Sequence, residues 1–384
     1  MDNNVVFVET TDGYPRKFTA NNSKVELIAE GLKKAGDNVT IINKLQGSEF
    51  VQSDVETGNN NGLIYYTFRR YDHEKCGLIK NLIRQCKLLK SLKCKDKKNV
   101  IIMGQPYYLL FLLEIICYRA IGYMVGVTKT EWPSKIATKS KIKTFDYWIF
   151  DNSFGFFVNI IFPISGYIEQ RCRKFRCPMF KVPILARFNG DSGTNTQDYF
   201  LLCSTLAYKE NVKIVIDAFA LFVEKTQSEH YSLKLVLSGS SDDLLLINKY
   251  IEERGITGKT KIYCQIPFAQ LMELYNNARG LLIPLQDTIQ DKARFSQKIA
   301  EYVSTGNPII TNSIGDIRLY FKDKDNAYIA KSYDKESYAE IMVEISRNQH
   351  QAKTIGHNGY LTGLKNFDNT NVCKRLSQFL TYNL

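Results

Sequence analysis

The sequence predicts an α/β protein built from two Rossmann-like domains. Short apolar strands alternate with amphipathic helices along most of the chain. Its 384 residues exceed what one ordinary hydrophobic core holds and suit two domains. A loop rich in Gly, Asn, Asp and Ser over residues 186–196 interrupts the alternation. We therefore predict a first domain at residues 1–188 and a second at 189–384, with a last helix that packs back on the first.

The first domain opens with the pattern of a βαβ unit. An apolar strand over residues 5–9 is followed by a helix over 24–35, which Gly36 ends, and by a second strand over 39–42. Asn22 or Ser23 is the expected N-cap, with Glu26 as the capping-box partner of Ser23. Further strands are predicted at residues 100–103, 123–127 and 160–164, the last leading into a helix at Ser165-Gly166.

The second half repeats the alternation. Strands are predicted at residues 200–203, 233–237, 262–264, 281–283 and 308–311, and helices at 212–223, 244–254, 268–277 and 296–304. Parallel sheets bind their ligands beyond the carboxyl ends of the strands. Two such halves are therefore expected to face each other across a cleft lined by the strand-end loops.

Charge is distributed unevenly. The net charge is +12, and residues 1–185 account for +11 of it (28 Lys/Arg against 17 Asp/Glu), which predicts an anionic partner for the first half. The excess is concentrated at residues 69–98, with 11 basic and 3 acidic residues. Within it, the amphipathic helix predicted at 80–93 either docks on an anionic membrane or packs its leucines (Leu78, Leu82, Leu89 and Leu92) on the sheet. No nucleic-acid-binding motif accompanies the charge, so no nucleic-acid partner is expected.

Other features exclude several classes of protein. The most apolar segment, residues 107–125, contains Glu114 and Arg119 and predicts a buried helix instead of a membrane span. Nine cysteines without a CxxC pair, and no visible signal peptide, favour reduced thiols in the cytoplasm. The four histidines lie far apart, so we expect no metal site, no catalytic histidine and no cofactor.

The segment from Arg294 to Thr311 carries the strongest chemical signal. A helix predicted from Ser296 presents unpaired N–H groups and a positive dipole that suit a pyrophosphate. Lys298 in its first turn would meet phosphate, and Glu301 on about the same face would accept hydrogen bonds from ribose hydroxyls. Gly306 then ends the helix before Pro308. The alternative is an exposed i,i+3 ion pair on an ordinary amphipathic helix.

This segment resembles the retaining GT-B glycosyltransferases of group 1 (family 4), with the pattern G-F-P-x-K-x-x-E-Y-x-x-x-G-x-P. The matching residues are Phe295, Lys298, Glu301, Tyr302, Gly306 and Pro308. Residues 200–206 with 209–219, 235–239, 271–284 and 312–317 resemble further family segments in the same order. In the first half, residues 160–168 and Glu131-Trp132 resemble the branch more weakly.

The resemblance implies a GT-B fold with the donor in the second domain. It implies catalytic roles for Lys209, Arg294 and Lys298. The implied donor-binding residues are Thr205, Gly239, Ile266, Phe295, Ser296, Gln297 and Glu301. Glu131, Trp132 and Asn22 are the implied acceptor-side residues.

The sequence departs from the family pattern at three places. Thr205 stands where members usually have Arg, with Lys209 shifted by one, and Ala293 stands where they usually have the first Glu of an E-x7-E pair. A first-domain His is absent near Thr130-Glu131. Arg294, where many members have Gly, either supplies the missing positive charge or is a solvated loop residue.

These observations predict a glycosyltransferase that moves a sugar from a nucleotide-sugar donor to a glycan or lipid-linked saccharide. We expect this transfer to retain the anomeric configuration and to need no metal ion. We also expect it to serve surface polysaccharide biosynthesis. The expected location is the cytoplasm, peripherally on the inner face of an anionic membrane. The alternative is a degenerate GT-B protein that binds a nucleotide sugar or glycan without turnover.

Overall fold

A computed structural model describes residues 2–9, 13–16, 19–46, 51, 53–69, 77–104, 108–135, 141–190 and 196–383. The chain forms two compact units. The first comprises residues 1–185, 293–295 and 369–384, and the second comprises residues 186–292 and 296–368. The expected α/β class with two Rossmann-like sheets is confirmed.

The first unit contains a seven-stranded sheet and its covering helices. Its strands are β1 (Asn3–Glu9), β2 (Asn38–Gln46), β3 (Val55–Asn60), β4 (Leu63–Arg69), β5 (Lys98–Met103), β6 (Met124–Lys129) and β7 (Ile160–Pro163). Its helices are α1 (Ala20–Lys34), α2 (Gly77–Leu92), α3 (Tyr108–Ala120), α4 (Lys141–Ser153) and α5 (Gly166–Cys172). The strand order is β3-β4-β2-β1-β5-β6-β7.

The sheet is parallel except at one edge, where β3 pairs antiparallel with β4. Asn61 and Gly62, both with positive φ, form the two-residue turn between them, as such hairpins require. The sequence analysis missed this hairpin because β3 is polar and lacks an apolar alternation. β1, β5 and β6 are buried almost throughout, as expected for central parallel strands, and β7 is also buried although it ends the strand order.

The second unit contains six parallel strands. They are β8 (Tyr199–Thr205), β9 (Ser232–Ser238), β10 (Thr260–Tyr263), β11 (Gly280–Ile283), β12 (Ile309–Asn312) and β13 (Tyr328–Ala330), in the order β10-β9-β8-β11-β12-β13. The helices are α6 (Lys209–Thr226), α7 (Ser241–Glu253), α8 (Phe268–Asn276), α9 (Ile289–Ala293), α10 (Gln297–Val303), α11 (Ile317–Tyr320), α12 (Lys335–Arg347) and α13 (Gln349–Asn366). The final helix, α14 (Asn369–Tyr382), belongs to the first unit.

Three sequence-based expectations for helices of the first unit are wrong in detail. α1 begins at Ala20 with Thr19 as its N-cap, because the Thr19 hydroxyl accepts the Asn22 N–H at 3.1 Å; neither Asn22 nor Ser23 caps it. The apolar segment at 107–125 splits into α3 and β6, and α3 exposes Leu113 and Ile116. In α2, Leu82 and Leu89 are buried but Leu78 is exposed.

Helix α4 was not predicted from the sequence. Apolar, aromatic and charged residues alternate along it, and several of its apolar side chains are exposed instead of forming a buried face. Only Phe150 and Asp151, near its end, are buried. Among the described residues, no helix has the length and apolar character needed to cross a membrane.

Helix α14 packs against α1 and β1 on one face of the first sheet. Asn3 donates to the Ser377 carbonyl at 3.1 Å, and Asn369 donates to the Leu27 carbonyl at 3.2 Å. Val372 and Leu376 join the core formed by Val25 and other apolar residues of α1 and the central strands. The approach of the two helices is close at Gly31, where a Cβ atom would lie 2.4 Å from the Asn369 carbonyl oxygen.

Replacing Gly31 with Ala should therefore destabilise the first unit. The added methyl group would meet backbone and the Cys373 side chain, and overpacking of this kind costs about 1–3 kcal/mol. We expect a lower melting temperature by differential scanning fluorimetry. Gly258→Ala is the matched control, because a Cβ there meets nothing within 4 Å. Equal melting temperatures for the two variants would contradict this account of the α1–α14 contact.

Candidate active site

The carboxyl ends of the second sheet collect the predicted donor-side residues of that unit. All adjacent strand pairs in this sheet are parallel, so the strands end at one edge. Thr205 ends β8, and the loops or helices after β8, β9, β10 and β11 contain the other candidates of this unit. These candidates are Lys209, Gly239, Ile266, Ser296, Gln297, Lys298 and Glu301.

The segment after β8 turns tightly into α6. The Thr205 hydroxyl accepts the Ala207 N–H at 3.4 Å and caps a short 3₁₀ turn. Lys209 then opens α6 with an exposed side chain. Beside it, the Tyr208 hydroxyl accepts from the Gln290 amide at 2.8 Å, which connects this turn to α9. Thr205 therefore caps the turn, and Lys209 is the basic residue of residues 205–209.

Gly239 allows the loop after β9 to lie against the turn after β8. A Cβ atom at position 239 would be 2.7 Å from Cβ of Leu206, so a larger residue would push the two segments apart. Ile266 follows β10 and is half-buried. It lies farther along the edge, because β9 separates β10 from β8.

Lys298 and Glu301 lie together on α10, although this helix has only seven residues. Ser296 is its N-cap with extended backbone, and no side-chain hydrogen bond caps the helix. Burial raises the pKa of Glu301 to about 7, while the charge of Lys298 and a hydrogen bond with Gln297 act to lower it. Both members of the pair are half-buried, so the alternative of an exposed ion pair is wrong.

Tyr302 fixes α10 against the end of β8. Its buried phenol oxygen accepts the Cys203 N–H at 3.0 Å, and its ring meets the Tyr275 ring edge-on at 4.8 Å. Burial raises the pKa of the half-buried Cys203 thiol, and the charge of Lys298 acts to lower it. The Lys298 ammonium group therefore lies near the end of β8, where Cys203 precedes Thr205 by two residues.

Two buried amides hold the loop after β11, and sequence reasoning missed both. Asn312 accepts the Leu285 N–H at 2.8 Å and donates to the Leu285 carbonyl at 2.7 Å. Asn211 donates to the Pro284 carbonyl at 3.0 Å and accepts from Tyr333 at 2.6 Å. Both residues lie in segments that resemble the family, and this was the only feature of the sequence that could have indicated them. A single Asn residue does not belong to any recognisable spacing pattern.

The central motif is divided between the two compact units. Residues 293–295 belong to the first unit, whereas the sequence analysis placed the whole motif in the second domain. The Ser165 hydroxyl, which also caps α5, donates to the Ala293 carbonyl at 2.5 Å. Phe295 is buried and Arg294 is half-buried. Arg294 is thus not the solvated loop residue of the alternative interpretation.

On the acceptor side, Trp132 is almost completely buried. Only 4% of it is exposed, and the Lys129 ammonium lies 5.2 Å from its ring centroid. Lys129 pairs with Asp151 of α4 at 2.6 Å, and both side chains are fully buried. The second Asp151 oxygen accepts the Ser134 N–H at 3.0 Å. This arrangement holds the turn after β6 in place, so Trp132 acts mainly in packing.

Glu131 and Asn22 occupy different positions in the first unit. Glu131 is half-buried in the turn after β6, whereas Asn22 is buried in the first turn of α1.

A buried charge cluster at the carboxyl end of β1 also escaped the sequence analysis. Glu9 ends β1, and burial raises its pKa, while the charges of Lys24 and Lys44 act to lower it. Lys44 pairs with Glu114 through both carboxylate oxygens, at 2.7 and 2.8 Å. Gly104 leaves space for the Glu9 carboxylate, because a Cβ atom at position 104 would lie 2.2 Å from a Glu9 oxygen. In the described ranges, no three His, Cys, Asp or Glu side chains form a group that could hold a metal ion.

Comparisons with known proteins agree with this geometry. Residues 188–362 match the family model "Glycosyl transferases group 1". A search of curated proteins returned no match. Among solved structures, Anabaena HepE in complex with UDP and glucose is similar at a TM-score of 0.73, with 12% identity over 98% of this chain and 99% of that one.

Two further solved structures are similar along the whole chain. Sucrose-phosphate synthase from Thermosynechococcus elongatus has a TM-score of 0.71 and 14% identity, with 98% of each chain covered. The pneumococcal O-GlcNAc transferase GtfA, in complex with UDP and GlcNAc, has a TM-score of 0.67 and 10% identity, with 99% of each chain covered. At these identities the likeness shows the GT-B fold, and the family model shows the kind of enzyme. The second unit, which contains almost all of residues 188–362, therefore matches the group 1 glycosyltransferases, a family of nucleotide-sugar-dependent enzymes, and the chain as a whole has the GT-B fold.

Proposed function

We propose that the donor is a UDP-sugar and that the second unit binds it at the carboxyl edge of its sheet. The observation that carries this proposal is the half-buried Glu301 beside Lys298 on α10, near the end of β8. The similar structures of HepE and GtfA are complexes with UDP, which supports uracil as the base. A thermal-shift screen against UDP-, GDP- and dTDP-sugars tests the choice, because a ligand that binds the folded protein raises its melting temperature.

In this proposal, Glu301 accepts hydrogen bonds from the ribose hydroxyls. A carboxylate is the natural acceptor for a vicinal diol, and partial burial strengthens the hydrogen bonds by excluding water. Gly239 and Ile266 are proposed to lie near the base. Ser296, Gln297 and Phe295 shape the surroundings of the pyrophosphate.

Lys298 and Lys209 are the proposed catalytic cations. When the glycosidic bond breaks, the departing nucleoside diphosphate gains negative charge, and fixed cations stabilise it more in the transition state than in the substrate. Arg294 is assigned to the same task as a third cation. Its backbone lies in a segment fixed through the Ser165–Ala293 hydrogen bond, which limits its freedom.

The acceptor is proposed to be a glycan or a lipid-linked saccharide, as in surface polysaccharide biosynthesis. Asn22 and Glu131 are assigned to its side, together with Glu9, whose raised pKa marks a carboxyl group that keeps its proton more readily than usual. Transfer is proposed to retain the anomeric configuration and to take place at the cytoplasmic face of a membrane.

The raised pKa of Glu301 yields a prediction for pH. Because the ionised carboxylate is the better acceptor, UDP-sugar affinity should fall as the pH drops below about 7. The loss should approach tenfold per pH unit. Glu301→Gln should bind the UDP-sugar weakly at every pH. Isothermal titration calorimetry measures the affinities of the wild-type protein and of this variant. A wild-type affinity that is flat from pH 8 to pH 6 would remove the ribose role.

The same pKa predicts a stability effect without donor. The folded protein holds a proton on Glu301 up to about pH 7, whereas the unfolded chain releases it near 4.5. Ionisation therefore costs folding free energy, and wild-type stability should fall relative to Glu301→Gln as the pH rises from 4.5 towards 7. A melting-temperature difference that does not vary with pH would show that burial does not perturb Glu301.

Removing either cation should reduce turnover more than stability. Lys298→Ala and Lys209→Ala are each expected to lower kcat/KM by about 100-fold, a typical loss for one transition-state-stabilising group. Lys225→Ala is the matched control, because Lys225 lies at the opposite end of the helix that Lys209 opens. Initial rates with the donor found in the screen measure the effect. If Lys209→Ala behaved like Lys225→Ala, Lys209 would have no role at the donor.

Transfer should also persist in excess EDTA. The proposed charge stabilisation comes from Lys and Arg side chains, so no metal ion is needed to neutralise the leaving diphosphate. Product formation is compared with and without chelator. Loss of activity that Mn²⁺ or Mg²⁺ restores would overturn metal independence.

A further inference from the structure

One face of the first unit presents an apolar surface. α2, α3 and α4 form a continuous layer, in which Tyr118 of α3 donates to Gln85 of α2 at 2.9 Å. Phe111 of α3 and Phe150 of α4 meet at 4.8 Å between ring centroids. α1 and α14 share the core on the other face of the sheet. We call the outward side of the α2–α4 layer, with the turn at residues 154–157, the outer surface.

The outer surface concentrates exposed apolar side chains. Eighteen large hydrophobic side chains are exposed in the described part of the chain, and ten of them lie here. They are Leu78, Ile79, Ile83, Leu113, Ile116, Ile142, Phe145, Trp148, Phe156 and Phe157. Scattered apolar residues are normal on a protein surface, but a concentration on adjoining helices marks a surface that binds something.

Helix α4 supplies the most apolar part. Ile142, Phe145 and Trp148 follow one another at i, i+3 and i+6 and so share one face, with exposed fractions of 83%, 62% and 55%. The Phe145 and Trp148 rings stack at 6.2 Å. On the inner side, Asp151 holds the helix through its buried ion pair with Lys129. The exposed stripe therefore belongs to an anchored helix.

Positive charge surrounds these apolar side chains. Residues 77–93, 108–120 and 141–157 contain eight Lys or Arg residues and three acidic residues. Glu114 and Asp151 are buried in ion pairs with Lys44 and Lys129, so Asp146 alone of the three acids contributes to the surface charge. Exposed basic residues include Lys87 and Lys90 on α2 and Lys141 on α4.

We propose that the outer surface rests on an anionic lipid bilayer, with Ile142, Phe145 and Trp148 at the level of the lipid headgroups. Aromatic and aliphatic side chains flanked by Lys and Arg match the chemistry of that interface. The basic residues are attracted to anionic headgroups, whereas the apolar stripe gains by leaving water. The main anchor is α4, which carries little of the net charge, and α2 contributes its lysines and exposed isoleucines.

The same surface suits a lipid-linked acceptor, and this point rests on the proposed function. A groove of about 330 Å³ lies between α4 and the turn after β6, lined by Ser134, Lys141, Thr144, Phe145 and Trp148. Ser134 is held by Asp151, the residue that anchors α4. Docking through α4 would thus place the turn that contains Glu131 close to the bilayer surface.

Flotation of the full-length protein with vesicles tests the proposal. Wild-type protein should bind vesicles of phosphatidylcholine with phosphatidylglycerol, bind less at high salt, and bind little to phosphatidylcholine alone. A variant with Ile142, Phe145 and Trp148 all changed to Ser should bind at least about tenfold more weakly. The matched control changes Leu245 and Leu246 to Ser on α7 of the second unit, where they are 67% and 61% exposed.

Tryptophan fluorescence gives a second readout. The chain has two tryptophans, and Trp132 is buried, so a blue shift on adding anionic vesicles reports on Trp148. The shift should vanish in Trp148→Phe. In the absence of vesicles, the triple variant should bind UDP-sugar as tightly as the wild-type protein. This result would show that the variant folds, and that loss of vesicle binding is independent of donor binding.

Several results would overturn the proposal. They are no binding to anionic vesicles, equal binding by the wild-type and triple variants, or equal binding to neutral vesicles. A different outcome would be a wild-type protein that is dimeric by light scattering and does not bind vesicles, together with a monomeric triple variant. That outcome would assign the outer surface to a second copy of this chain. The protein could also bind native membranes but not pure lipid vesicles, and lose this binding when the membranes are first treated with protease. That result would assign the outer surface to a membrane protein.

Discussion

Both units depend on one geometric constraint, which is that neighbouring parallel strands all end at the same edge of a sheet. Side chains that are distant in the sequence then meet without any long-range motif. In the second unit, this edge collects the end of β8, the loop after β9 and helix α10. In the first unit it collects Glu9 at the end of β1 and Lys129 at the end of β6. The chemistry that each unit performs is therefore decided by the loop or helix at the end of each strand.

Buried polar groups hold these strand-end segments in place. Asn312 and Asn211 satisfy backbone groups of the loop after β11, and Tyr302 satisfies a backbone N–H of β8. A buried polar atom without a partner costs free energy, so each hydrogen bond selects one conformation of its loop. The Lys129–Asp151 pair does the same for the turn after β6. Buried ion pairs seldom add net stability, and this one is better understood as a device for positioning.

Two buried ion pairs affect how charge is distributed in the first unit. Lys44 and Lys129 are buried against Glu114 and Asp151, so these four charges cancel and the net charge of the unit is unchanged. Both buried acids belong to the α2–α4 layer and both lysines belong to strands, so the outer surface is more basic than the sequence of that layer suggests. An apolar stripe at the centre of such a surface would be a liability for a protein that contacts only water.

The fold, and the position of the candidate donor-side residues at one edge of the second sheet, could largely be predicted from the sequence, because both depend on local patterns. Apolar runs of strand length, a helix stop at Gly306 and the Lys298–Glu301 spacing are properties of neighbouring residues. The sequence could not indicate that Ala293 to Phe295 pack with the first unit, although a last helix that packs on the first domain was expected. It could not indicate that Leu78 is exposed while Leu82 is buried on the same helix. Partners such as Asp151 for Lys129 are chosen by which elements pack together, so only the tertiary structure decided which charges are buried and which face of the first unit exposes apolar side chains.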